Sequence, residues 1–221
     1  WPMLVGFSDI TALHSLLSLH GVASLHANMC KDLSLLPDED IALSAEREFF
    51  MADTIPSPLS FTSHLLPLTY HPSPHHANVP YTIHHTSSSP LNRGGEVVGK
   101  LIGGNLSVLY GLQGTPYSLN KIIEQCEQPP ILFIEDISEN HYHIDRMLNS
   151  LRMSAVFDSI GGLVVGQFTD CADDPSMGCS LLESIRQVVD DYSFPILFDY
   201  PSGHIDSNYP LLLSADYLLS V

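Results

Sequence analysis

The sequence predicts an α/β protein in two parts. Short apolar runs alternate with amphipathic helical patterns almost from the first residue. A proline-rich stretch over residues 55–92 then divides the chain, and apolar strands become frequent after it. The size agrees: 221 residues with 44% apolar content can bury one large core or two small ones.

Residues 2–7 read as a short buried strand that runs straight into a helix over 9–20. In that helix Ile10, Leu13, Leu16, Leu17 and His20 fall near one face, and Gly21 is the C-terminal stop. Residues 22–29 read as a second strand. Residues 35–54 read as a helix opened by Pro37-Asp38-Glu39-Asp40, whose charges suit the positive end of a helix. Over 55–92 prolines crowd together with Ser, Thr and His, which predicts a linker or long loop with one strand from Tyr81 to His85. Further strands are expected at 96–105, 131–137, 161–168, 194–200 and 215–221, and helices at 105–112, 143–154 and 180–191. The boundary between the parts is placed at 80–95, separating 1–80 from 81–221.

Charge narrows the function. Eight Lys+Arg against 25 Asp+Glu leave a net charge of −17, which argues against nucleic acid or an anionic membrane surface as partner. No run of 18 apolar residues spans a bilayer. Cys30, Cys126, Cys171 and Cys179 form no Cys-x-x-Cys pair and match no zinc framework, so they read as reduced thiols of a cytosolic protein. His64, His71, His75, His76, His84 and His85 lie in a proline-interrupted stretch, whereas metal sites want ligands on fixed elements with a supporting shell. No metal or cofactor is assigned.

Three candidates for chemistry stand just beyond the ends of apolar strands. Gly6-Phe7-Ser8-Asp9 turns from strand to helix with no loop. Such a corner can be a nucleophile elbow, with the serine hydroxyl beside free helix N–H groups that stabilise an oxyanion. It can also be an ordinary N-cap serine. The stretch lacks the second glycine of the common elbow pattern, and on it alone capping carries more weight. Glu135 closes Ile131-Leu132-Phe133-Ile134, where a carboxylate is out of place unless solvated or used; Asp136 beside it reads as a helix N-terminal charge. His204 follows the turn Pro201-Ser202-Gly203 and reads as base or as a loop histidine. Gly103-Gly104-Asn105 reads as a substrate turn or as a tight turn capped by Asn105, and Arg146 as the partner of a nearby carboxylate.

The blocks GFSDITALH, GKLIGGNLSVLYGLQGTPY, ILFIEDISENHYHIDRMLNSL, GLVVGQFTDC and FPILFDYPSGHIDSNYPLLLSA resemble, in order, the LD-carboxypeptidase family. The resemblance implies a serine peptidase that removes the terminal D-alanine from murein tetrapeptides, with a Ser8-Glu135-His204 triad. It implies a Rossmann-like N-terminal α/β domain carrying the elbow and a mostly β, barrel-like C-terminal domain with helices carrying Glu135 and His204. The Asp9 N–H is expected as an oxyanion donor, and Gly104 and Asn105 as substrate contacts. A cytoplasmic homodimer engaged in peptidoglycan recycling without a cofactor is the expected setting. A microcin-C-type immunity peptidase, cleaving an aminoacyl-nucleotide amide, is the rival activity. The family carries a further stretch ahead of the serine block, on the order of a hundred residues, with a glycine-rich turn by the oxyanion hole. The chain is therefore expected to be a fragment, and a non-catalytic binding module is the third reading.

Overall fold

A computed structural model describes residues 3–51, 81–84 and 89–221. Most of the proline-rich stretch, with His64, His71, His75, His76 and His85, lies outside the described residues.

The N-terminal part begins with strand β1 (Val5–Gly6), a 3-10 turn (Ser8–Ile10) and helix α1 (Thr11–Leu19), followed by β2 (Ser24–His26), α2 (Cys30–Leu33) and α3 (Ile41–Met51). Then come β3 (Tyr81–His84), β4 (Glu96–Asn105), α4 (Leu106–Gly111), α5 (Leu119–Ile123), β5 (Ile131–Ile137) and α6 (His141–Met153). The chain continues through β6 (Gly162–Thr169), α7 (Leu181–Val188), β7 (Ile196–Leu197), β8 (Leu211–Leu213) and β9 (Asp216–Ser220). The short elements α2, α5 and β8 were not expected from periodicity. A run of three to five residues is too brief to show a period.

The larger sheet has the order β3-β9-β4-β5-β6-β7, with β4 to β7 parallel and β9 antiparallel to β4. Its apolar run in β5 is continuous because both faces are covered. Leu132 and Ile134 pack with Ile144, Leu148 and Ile185 of α6 and α7. Ile131 and Phe133 pack on the other side with Tyr200, Tyr209 and Tyr217. The smaller sheet, β1-β2-β8, pairs β1 parallel with β2 and takes its antiparallel third strand from residues 211–213.

The buried face of α1 differs from the expected one. Thr11, His14, Ser15 and Ser18 are buried, while Leu13 is 49% exposed. Close approach explains the reversal. A Cβ on Gly104 of β4 would lie 2.5 Å from Thr11 Oγ1, so the helix presents its small polar side and β4 presents a glycine. The Asn105 N–H donates to Thr11 Oγ1 across that contact (3.0 Å).

Candidate active site

The serine corner is strained. Phe7 is extended, and Ser8 follows at φ 63°, in the left-handed region that costs a non-glycine residue about 1–3 kcal/mol. Ser8 does not cap a helix. Phe7 occupies the cap position of the 3-10 turn and Ile10 that of α1, and neither makes a side-chain cap bond. The capping reading is thus set aside by geometry. Gly6 sits at φ 149°, a conformation strained for any residue with a side chain, and a Cβ there would also displace Ile10 Cδ1, 2.5 Å away. Its carbonyl accepts from His14 Nε2 (2.9 Å), and His14 Nδ1 bonds Ser24 Oγ (2.8 Å). Burial lowers the His14 pKa to about 4, so the ring is neutral, and the carbonyl requires its proton on Nε2.

Strand parity places the acid. Phe133 and Glu135 are two apart in β5 and share a face, with the register shift against β6 falling between Ile134 and Asp136. Glu135 is fully buried, and its Oε2 accepts from His204 Nδ1 at 2.7 Å. A carboxylate can only accept, so Nδ1 carries the proton and Nε2 is left as the basic nitrogen. Burial works to raise the Glu135 pKa, but hydrogen bonding from His204 and the influence of His26 outweigh it and hold the carboxyl below its ordinary range. Burial likewise works to lower His204, and the bond to Glu135 outweighs it, so His204 is raised. The Phe7 ring, one residue before Ser8, stands edge-on to the His204 ring at 4.8 Å. Phe7 thus packs against His204, while among the described residues no hydrogen bond joins Ser8 to His204 and Ser8 is not in the lining of the cleft beside it.

The family model described as LD-carboxypeptidase C-terminal domain matches residues 98–219, more than half of the chain and including Glu135 and His204. The chain belongs to the LD-carboxypeptidase family. It is 30% identical over 216 residues to a probable murein peptide carboxypeptidase of Bacillus subtilis, covering 95% of this chain and 57% of that protein. The crystal structure of muramoyltetrapeptide carboxypeptidase from Oxalobacter formigenes superposes with a TM-score of 0.71 at 25% identity, over 99% of this chain and 65% of that one. The microcin C7 self-immunity protein of Escherichia coli is 29% identical over 120 residues, 53% of this chain and 32% of that protein. The chain thus spans a little over half the length of the B. subtilis relative.

Within this LD-carboxypeptidase fold the other candidates fall into place. Asp136 points to the opposite face of β5 and accepts from the Ser107 N–H (2.9 Å) and Asn105 Nδ2 (2.9 Å). It is a helix N-terminal charge, as its residue type suggested, but for α4, which precedes it in sequence. Asn105 is buried and caps α4 through Val108 N–H. Beside His204 opens a cleft of about 430 Å³ lined by Phe7, Asn28, Asp32, Leu36 and Asp40 among others; Gly104 and Asn105 are not in that lining. Asp9 is exposed on the 3-10 turn. Arg146 pairs with no described carboxylate. Its guanidinium lies over the Tyr142 ring at 5.8 Å, which corrects the expected ion pair. The four cysteines are unpaired. Among the described residues no group of three His, Cys, Asp or Glu side chains can hold a metal ion, and no helix is long and apolar enough to cross a membrane. Two buried histidines at the site, His14 and His26, escaped the sequence reading. Each is an unremarked polar residue inside a short element, and its burial was the missing signal.

Proposed function

We propose that this chain carries the triad of a serine carboxypeptidase acting on the L,D-amide that joins the terminal D-alanine to a murein tetrapeptide. Ser8 is the nucleophile, His204 the base and Glu135 the orienting acid. The carrying observation is the 2.7 Å bond from His204 Nδ1 to fully buried Glu135, with Phe7 setting the strained Ser8 beside it. His204 Nε2 takes the Ser8 proton as Oγ forms its bond to the amide carbonyl carbon. The C–N bond then breaks, and the same proton passes to the departing amine of D-alanine. Water hydrolyses the acyl-serine by the reverse route. Glu135 stays ionised and holds the imidazolium, and the Asp9 N–H donates to the oxyanion. In this reading Gly104 and Asn105 serve from behind the site, by admitting Thr11 and by fixing Asp136 and α4. Cytoplasmic peptidoglycan recycling by a homodimer rests on family membership alone.

In the full-length protein, Ser8→Ala and His204→Ala are each expected to cut D-alanine release from a murein tetrapeptide by ~10³-fold or more; the melting temperature stays unchanged in Ser8→Ala and falls in His204→Ala, which leaves the buried Glu135 carboxylate without its partner. Near-normal release from either variant overturns the assignment. The likeness to the microcin C7 self-immunity protein supports a second arm, with an aminoacyl sulfamoyl-adenylate as substrate. Hydrolysis of that compound and not of the tetrapeptide selects the immunity activity. Binding without turnover of either selects a non-catalytic module.

A further inference from the structure

We infer that His26 is a positioning residue of the triad, its Nε2 proton directed at the second oxygen of Glu135 so that the carboxylate is held from behind while it orients His204. This rests on the reading of Ser8, Glu135 and His204 given above.

His26 is buried next to the elements that carry all three residues. In β2 it lies opposite Gly6 of β1, two residues before the nucleophile. Its Nδ1 lies 3.4 Å from Ser202 Oγ, in the turn that carries His204; Asn208 Oδ1, 3.1 Å from the same hydroxyl, already accepts from the Gly203 N–H (2.9 Å), so the one Ser202 proton is free to go to Nδ1 of an Nε2-protonated ring. Its Nε2 faces Glu135 Oε1 at 3.8 Å. That separation is too long for a hydrogen bond but within ion-pair range. Both side chains are 0% exposed, and neither Nε2 nor Oε1 has a hydrogen-bond partner. Two bare lone pairs facing each other in a dry interior would repel, and an unsatisfied buried carboxylate oxygen is expensive. A proton on Nε2 turns that repulsion into attraction, setting an N–H dipole 3.8 Å from the carboxylate oxygen. The ring is also clamped: Phe133 stands edge-on at 5.0 Å and Phe7 lies at 6.1 Å. His26 does not line the cleft, so it acts through Glu135 and not on the substrate.

The direction of its influence follows from sharing. A carboxylate that serves two histidines holds each proton less tightly than one that serves a single histidine. Removing His26 therefore strengthens the grip of Glu135 on the His204 proton. The other titratable groups facing the pair are His14 of α1, Asp32 of α2, Asp136 of β5, and Asp40 and Asp206 around the cleft. None of them is changed by the substitution.

Two measurements on the full-length protein test this. In the wild type, long-range ¹H–¹⁵N spectra of the ring nitrogens are expected to show His26 Nε2 protonated at the pH of activity; a bare Nε2 overturns the inference with no variant needed. In His26→Phe, the His204 titration is expected to move to higher pH, and the acid limb of kcat/KM with it. kcat is expected to fall by about 10–100-fold with KM within about twofold, as for a displaced catalytic group. His26→Gln, which keeps an N–H donor, is expected to recover most of kcat. An unmoved His204 titration in a folded His26→Phe protein overturns the inference. The ring-nitrogen spectra and the His204 titration are read without turnover, so they stand or fall separately from the Ser8→Ala and His204→Ala results that test the triad itself.

Discussion

The two sheets of this molecule are built in opposite ways. The six-stranded sheet sits between two apolar clusters, with Phe133, Leu132 and Ile134 at 0% exposure, and its strands reach ten residues. The three-stranded sheet has strands of two or three residues and a small cluster around Leu25, Ala27 and Leu212. Much of its surroundings is polar and hydrogen-bonded: His14 with Ser24 and Gly6, Ser18 with Ser214, and Asn28 with Glu46. Hydrocarbon burial is non-directional and contributes most of the stability, whereas hydrogen bonds add little net energy but specify geometry. The large sheet is therefore the scaffold that carries Glu135, and the small one is a polar fitting that sets the corner at Ser8.

The contrast can be broken most severely in the scaffold. Phe133→Ala removes a fully buried ring from the central strand and is expected to cost about 3–5 kcal/mol, read as a lowered denaturation midpoint in urea. A cost under about 1 kcal/mol would show that the large sheet is not the scaffold.

In the polar region the larger lever is pH. Burial, opposed by the Asn28 bonds, raises Glu46 to about 7, so its native form keeps a proton that the unfolded chain gives up near 4.5. Stability from Glu46 is present at low pH and lost as pH rises from 4.5 to 7. His14, lowered to about 4, behaves oppositely: its contribution is present above 6.5 and lost as pH falls towards 4. The two offset each other between about 4.5 and 6.5, each by at most ~3 kcal/mol. Glu46→Gln is expected to leave a stability that rises with pH across this window, and His14→Gln one that falls. Urea unfolding at a series of pH values reads both slopes, and identical slopes in the two variants would refute the offset.

The smallest expected effect lies at the corner itself. Ser8→Gly accepts φ 63° without strain and is expected to stabilise the chain by about 1 kcal/mol while abolishing any Ser8-dependent hydrolysis. Ser8→Ala keeps the strain and should not stabilise. Equal melting temperatures for the two would show that the corner is relaxed.

Much of this was legible in the residues. The apolar run before Glu135 marks a strand covered on both faces, and the loopless passage through Gly6-Phe7-Ser8 marks a sharp corner. The family blocks name the three candidate residues. Less legible was α1, whose leucines suggested the buried face. The face that packs is Thr11, His14, Ser15 and Ser18, because a glycine on β4 lets the helix come close enough for hydroxyls to meet backbone. Periodicity records which residues are apolar and not how closely a neighbour approaches.

The sequence by itself determined the α/β alternation, the strand parity that sends Glu135 and Asp136 to opposite faces, and the residue types of the candidate triad, because these depend on local spacing alone. Only the tertiary structure decided that Ser8 is strained and caps no helix, that Asp136 serves α4, and that His26 stands behind Glu135. The last two are contacts between residues distant in the chain, Asp136 with Ser107 and His26 with Glu135 and Ser202, and local spacing does not reach that far.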